Sequence, residues 1–265
     1  MNNFPSKEVL KSFGTFEKPI NLSGGQGQNF RSGNIVLKPT IDNEETNWLT
    51  KFYSSFKSDK FRFPIPIKSR NGEYVIQGWQ AWELLEGNHF FDSWDEIIKF
   101  CFKFHDLISS IPKPDYFDRR DQNPWVIADK FVWEDCNVKF DSSIQEQVEK
   151  LRSAIKNIEI HNQLIHGDFG GNILFSNNYP PAVIDFSPYW RPVEFAVGIV
   201  IADAIVWGNA KFSLIDKYCS NEIMYQNLLR AELRRVVELQ ALKNIYKIDK
   251  LNEIDAHIKI ISYLT

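Results

Sequence analysis

Apolar and polar positions divide the chain into two parts. Up to residue 85 the apolar residues come in short runs fenced by turn formers. These are Ile35-Val36-Leu37-Lys38, then Phe63 to Lys68 broken by Pro64 and Pro66, then Tyr74-Val75-Ile76 behind Asn71-Gly72. Such runs predict strands. One stretch among them has a helical period: Glu44 to Phe56 sets Trp48, Phe52, Tyr53 and Phe56 on one side, as a helix packed on the sheet would.

Beyond Gly87 the period is mostly helical. Ser93-Trp94-Asp95-Glu96 has the form of a capping box, and it opens a run with Ile97, Cys101, Phe104 and Ile108 on one face. Ile144, Val148, Leu151 and Ile155 repeat that period. Ile223 to Tyr246 predicts a long helix with its charged residues on the outer side. The apolar run Phe195 to Trp207 is interrupted by Asp203 and falls short of the ~20 residues a membrane helix needs, so it predicts a buried helix. Among these helices, Ile173-Leu174-Phe175 and Ala182-Val183-Ile184 flank Ser176-Asn177-Asn178-Tyr179-Pro180-Pro181, which predicts a hairpin. The expected architecture is α+β and bilobal. A small β-rich N-lobe spans 1–85, a connection runs near Glu83 to Gly87, and a larger, mainly helical C-lobe spans 86–265 and carries the hairpin. A cleft between lobes is the natural ligand site.

Composition narrows the class without naming an activity. The 265 residues are 43% hydrophobic, 25% charged and 14% aromatic, as in ordinary globular proteins. Lys plus Arg is 31 against 34 for Asp plus Glu, a net charge of −3, so no basic footprint for nucleic acid is present. The N-terminal MNNFPSKEVLKSFG is polar where a signal peptide is apolar, so a cytoplasmic location is expected, with no membrane partner. Cys101, Cys136 and Cys219 stand singly, which disfavours disulfides and zinc and reads as small core residues. Repeats and low-complexity segments are lacking.

The candidate chemistry centres on His166-Gly167-Asp168-Phe169-Gly170-Gly171-Asn172, followed by Asp185 in Val183-Ile184-Asp185-Phe186-Ser187. The hairpin sets Asn172 at the start of one strand and Asp185 at the end of the next. An amide oxygen and a carboxylate make a hard, oxygen-rich site suited to Mg²⁺, and Asp168 is left to accept a proton. Phosphoryl transfer divides the labour in this way: one Asp orients the attacking hydroxyl while an Asn and an Asp hold the metal. A turn-capping Asp, a turn Asn and a strand-end Asp are the structural alternative.

HGD-x₃-N followed by IDF resembles the catalytic and metal-binding segments of the aminoglycoside phosphotransferase-like family, whose fold is protein-kinase-like; GGQG, VLKP and IDFSPYWRP are similar to a poorly characterised bacterial branch of it. The likeness spans about residues 20–210. It implies ATP, with GTP as the alternative nucleotide, and Mg²⁺. It implies that Gly24, Gly25 and Gly27 of Ser23-Gly24-Gly25-Gln26-Gly27 cover the phosphates and that Lys38 pairs with them. Glu45 is then the partner of Lys38, in competition with Asp42 and Glu44. The backbone near Glu83 and Leu85 meets the adenine, Asp168 is catalytic, and Asn172 and Asp185 are the metal ligands. His166 holds the loop and is not the base. The acceptor implied is a hydroxyl group of a small molecule.

Two departures stand out. Three residues, not the family's usual four, separate Asp168 from Asn172, which the paired glycines make feasible, and Ser187 follows Phe186 where protein kinases carry Gly. Two other functions compete. One is a catalytically weak nucleotide-binding pseudokinase or regulatory module, against which the presence of Lys38, Asp168, Asn172 and Asp185 counts. The other is a protein kinase or nucleotidyl-transferring relative, which the lack of an activation loop ending in A-P-E disfavours. G-x₄-G-K-[ST], G-x-S-x-G and H-E-x-x-H are all missing. Tyr189, Trp190 and Arg191 either start a core helix or approach substrate, and the segment from Pro114 to Phe140, with Trp125 and Trp133, either lines an acceptor pocket or covers the surface.

Overall fold

The computed structural model describes residues 4–22, 28–89, 93–120, 122–134 and 136–265. The chain forms two compact units, 1–89 with 173–184, and 90–172 with 185–265. The expected boundary at 85/86 therefore falls a few residues later, and the hairpin expected in the second part belongs to the first.

In the first unit, α1 (Lys7–Ser12) precedes β1 (Ile20–Asn21), β2 (Phe30–Ser32) and β3 (Ile35–Pro39). After α2 (Asn43–Ser55) come β4 (Pro66–Ile67), β5 (Val75–Ile76) and β6 (Trp79–Glu83). The sheet order is β1-β2-β3-β6-β4 with β5 also on β6, and every pairing is antiparallel. Strand β4 is shorter than the run predicts, because Pro64 and Pro66 lack ladder donors. Val9, Leu10, Phe13, Phe30, Leu37, Trp79 and Ala81 make the core. Asp42 caps α2 by accepting from the N–H groups of Glu44 and Glu45, and Trp48, Phe52 and Phe56 stack at 5.2 and 4.9 Å as their spacing requires.

The second unit contains α3 (Trp94–Ile108), α4 (Pro124–Trp133), α5 (Ser142–Ala154) and β7 (Gln163–His166). The chain then runs through the hairpin strands β8 (Ile173–Leu174) and β9 (Ala182–Val183) and returns as β10 (Pro188–Arg191), antiparallel to β7. Helices α6 (Val193–Val206), α7 (Ser213–Tyr218), α8 (Glu222–Ala241) and α9 (Ile254–Leu264) complete it.

Helix α6 is apolar all round and is a core helix. Helix α8 packs against α4, α5, α6 and α9. Seventeen of its twenty residues are buried, including Arg230, Glu232, Arg234, Arg235 and Glu238, so the charged outer face expected of it does not exist. The capping box at Ser93 is also not formed: its side chain makes no capping hydrogen bond, and only its carbonyl accepts, from the N–H groups of Glu96 at 3.0 Å and Ile97 at 3.2 Å. Helix α4 is built into the helical core, which excludes a surface insertion there. No helix among the described residues is long and apolar enough to cross a membrane.

Candidate active site

The segment from His166 to Asn172 lies between β7 and β8, and hydrogen bonds fix it from three sides. From α3, His105 is fully buried; its Nε2 accepts the His166 N–H at 2.9 Å and its Nδ1 lies 2.7 Å from the Cys101 carbonyl. One nitrogen must accept and the other donate, so His105 is the neutral Nδ1–H tautomer. Burial agrees, pushing its pKa down to about 3. His166, also fully buried, accepts the Asp168 N–H on Nδ1 at 3.1 Å. Gly167 donates to the Ser187 carbonyl at 2.8 Å and accepts from Arg234 Nη1 at 2.8 Å. A Cβ on Gly167 would fall 2.5 Å from the Tyr189 ring, so only glycine fits.

Asp168 is half-exposed, and both its oxygens are engaged. Oδ1 accepts from Arg235 Nη2 at 2.8 Å, and Oδ2 from Asn172 Nδ2 at 3.0 Å. Desolvation against the loop raises its pKa, but the charge and hydrogen bond of Arg235 outweigh that and hold the carboxyl below the ordinary Asp value. Asn172 Nδ2 also donates to the Asp168 carbonyl at 2.7 Å. With both amide protons turned to Asp168, the Asn172 Oδ1 remains as an acceptor. The loop closes through the Asn172 N–H on the Phe169 carbonyl at 3.0 Å. Neither Gly170 nor Gly171 takes a left-handed backbone, so the short spacing does not depend on glycine conformations as expected.

Strands β8 and β9 pair Ile173 with Val183 and Leu174 with Ala182. One step past the open end of this ladder are Asn172 on one strand and Ile184 on the other, with Asp185 following. Asp185 is exposed and has φ of 51°. A non-glycine residue in the left-handed region is uncommon, and such residues cluster at functional sites. An amide oxygen and a carboxylate at one hairpin end fit a hard cation that takes few protein ligands. Among the described residues no group of three or more His, Cys, Asp or Glu is gathered as a metal site.

In the first unit Lys38 stands on β3 opposite Gln80, and Glu45 lies in the first turn of α2. The carboxylate of Asp42 is occupied in capping that turn and Glu44 is exposed, whereas Glu45 is half-buried. The Glu83 N–H donates to Ile65 at 2.9 Å and the Leu84 N–H to Asn34 at 3.0 Å, while the Leu85 N–H makes no backbone hydrogen bond among the described residues. A cavity of about 450 Å³ beside Glu83 and Leu85 is lined by Tyr53, Phe61, Phe63 and Tyr179. Gly24, Gly25 and Gly27 lie outside the described residues.

Arg191, one of the three residues that the sequence offers either to a core helix or to the substrate, is tied to Asp129 at 2.6 Å and Glu134 at 3.1 Å. Tyr189 is buried between the guanidinium groups of Arg120 and Arg234, each 4.7 Å from its ring centre. The sequence reading missed Arg234, Arg235, Asp203, Glu238 and His105. The sequence carries no local signal for the α8 residues: Leu228, Leu229, Leu233, Val236 and Val237 fall within one half of the helix, which leaves Arg230, Arg234, Arg235 and Glu238 on the other half, as on a solvated face.

No protein-family model matches the sequence, and comparison with curated proteins gives no match. Solved structures do match. The ligand-free thermostable mutant of aminoglycoside phosphotransferase APH(4)-Ia is similar with a TM-score of 0.65 at 14% identity, over 97% of this chain and 98% of that one. Choline kinase LicA from Streptococcus pneumoniae gives 0.65 at 12% identity, over 97% of each chain. Amicoumacin kinase hAmiN, in complex with AMP-PNP, Ca²⁺ and Ami, gives 0.65 at 12% identity, over 99% and 93%. The chain therefore has the α+β, protein-kinase-like fold of the aminoglycoside phosphotransferases.

Proposed function

We propose that the protein is a phosphotransferase that moves the γ-phosphoryl group of ATP to a hydroxyl group of a small molecule. The observation that carries this reading is the arrangement of Asp168 and Asn172. Asp168 is a half-exposed carboxylate held ionised, and its neighbour Asn172 turns its amide protons to Asp168 and keeps its oxygen for another ligand. The similarity of fold to a kinase solved with a nucleotide analogue and a divalent ion supports it.

Asp168 accepts a hydrogen bond from the acceptor hydroxyl, aligns its oxygen for attack and takes its proton as the new ester forms. Asn172 Oδ1 and the Asp185 carboxylate would hold Mg²⁺, which neutralises charge on the phosphates when bound. Lys38 would pair with the phosphates and Glu45 would orient Lys38; Gly24, Gly25 and Gly27 would cover the phosphates, and the backbone at Glu83 and Leu85 would meet the adenine. GTP is the alternative donor. Positioning and charge neutralisation supply most of the rate. The acceptor is a small molecule, with no role for nucleic acid or membrane, and a cytoplasmic location fits such a substrate.

The test is nucleotide consumption against a panel of hydroxylated acceptors. Asp168→Asn is expected to lower turnover by about 10²–10⁴-fold, the usual worth of a positioned base, with ATP affinity kept. Unchanged turnover in that variant removes the reading.

A further inference from the structure

Arg235 sits on α8, outside every motif that points to phosphoryl transfer, yet its guanidinium meets three carboxylates. Its Nη2 lies 2.8 Å from Asp168 Oδ1 and 2.5 Å from Asp203 Oδ2, its Nε 2.8 Å from Asp203 Oδ1, and its Nη1 2.9 Å from Glu238 Oε2. The side chain is 7% exposed. The Trp207 ring centre lies 5.7 Å from the guanidinium carbon.

We propose that Arg235 is the positioning residue for Asp168, setting the orientation in which that carboxylate meets the acceptor hydroxyl. The role rests on the phosphotransferase reading above. Two rotatable bonds govern where an Asp carboxylate faces, and two donors hold this one. Asn172 is the weaker restraint, because it holds Oδ2 with a neutral amide N–H at 3.0 Å where Arg235 holds Oδ1 with a charged donor at 2.8 Å. Arg235 is bound on its far side to Asp203 of α6 and Glu238 of α8, so it stays in place when the loop is loaded. A planar guanidinium makes this possible: its fork of donors engages Asp203 with two atoms while one of them also reaches Asp168. Neutralising Asp203 and Glu238 alone would not require the contact with Asp168. Reacting groups must hold their geometry to a fraction of an ångström, so a loosened carboxylate lowers turnover and leaves nucleotide binding alone.

The experiment uses the full chain with Mg·ATP, and water as the acceptor, read as phosphate release. Arg235→Lys keeps the charge and loses the fork. It is expected to lower kcat about tenfold with the KM for Mg·ATP within twofold, and Arg235→Gln to lower it further. Arg235→Lys in an Asp168→Asn background is expected to add nothing, because the residue acts through Asp168. Arg235→Gln strands the buried Asp203 carboxylate, while Glu238 keeps Arg234 at 3.0 Å, so where it fails to fold the lysine cycle decides. An unchanged kcat in Arg235→Lys, a loss that multiplies fully in the Asp168→Asn background, or a rise in KM matching the fall in kcat overturns the positioning role alone. No nucleotide consumption by the wild-type chain, with water or with any acceptor of the panel, overturns the phosphotransferase reading, and the positioning role with it.

Discussion

A neutral histidine buried under the segment from His166 to Asn172 makes the candidate site sensitive to acid. His105 has a pKa of about 3 in the folded chain against 6.5 for a free histidine, so below pH 6.5 the unfolded state takes up a proton that the folded state refuses. The stability it confers is complete above pH 6.5 and is lost as pH falls toward 3, by about 1.4 kcal/mol for each pH unit. Asp203 has the opposite sign. Burial lifts its pKa from 3.8 to about 6 despite Arg235, so its folded form holds a proton that the unfolded form releases; the stability this gives is present below about pH 4 and lost as pH rises through 6. Between about pH 4 and 6 the two slopes oppose. His105→Gln removes the first: its urea midpoint should fall less than that of the wild type between pH 7 and 5. An equal fall in both proteins would mean that His105 does not titrate between folded and unfolded states as its burial requires. The composition of α3 gives His105 an ordinary amphipathic position; only its depth and its two hydrogen bonds give it this behaviour.

Among the elements, α6 and α8 decide how the segment carrying Asp168 is held, and one glycine sets their approach. A Cβ on Gly198 would lie 3.0 Å from the Asn227 carbonyl oxygen, 3.1 Å from Leu228 Cα and 3.2 Å from Ala231 Cβ, two of them backbone atoms that cannot swing aside. Gly198→Val is therefore expected to overpack the contact and cost about 1–3 kcal/mol, read as a lowered urea midpoint. A midpoint within error of the wild type would show that the helices can separate freely. Because α6 carries Asp203 and α8 carries Arg235, the same substitution should also lower turnover through Asp168. The elements legible in the sequence, β3, β5, α2, α3, α5, α6 and the hairpin, follow from period and turn residues, since those signals are local. Strand β10 was not, because Pro188-Tyr189-Trp190-Arg191 pairs with Gln163 to Leu164-Ile165-His166 across a separation that no local pattern reports. The burial of α8 was missed for a related reason. Its charged residues look like a solvated face until the opposing carboxylates and carbonyls are in place, and unpaired charges at that depth would be too costly to bury.

For the whole molecule, a ligand that binds only the folded state raises the unfolding midpoint, so thermal melts with ATP or GTP, with and without Mg²⁺, read the proposed nucleotide site directly. A rise of a few degrees at millimolar Mg·ATP is expected, with most of it lost in Asp185→Asn. Asn tolerates the left-handed backbone at that position, so the variant isolates the carboxylate from backbone strain. No shift in the wild type would count against the metal and nucleotide assignments together. The sequence by itself determined which side chains bear the candidate chemistry, Asp168, Asn172, Asp185 and Lys38, and the local elements that carry them. Their residue types and spacing are local properties. Tertiary structure alone decided that the hairpin packs with the first unit, that Arg191 is spent on Asp129, and that Arg235 is brought to Asp168 from a helix 67 positions later. Those outcomes depend on which buried charges find partners, and burial exists only once distant segments have come together.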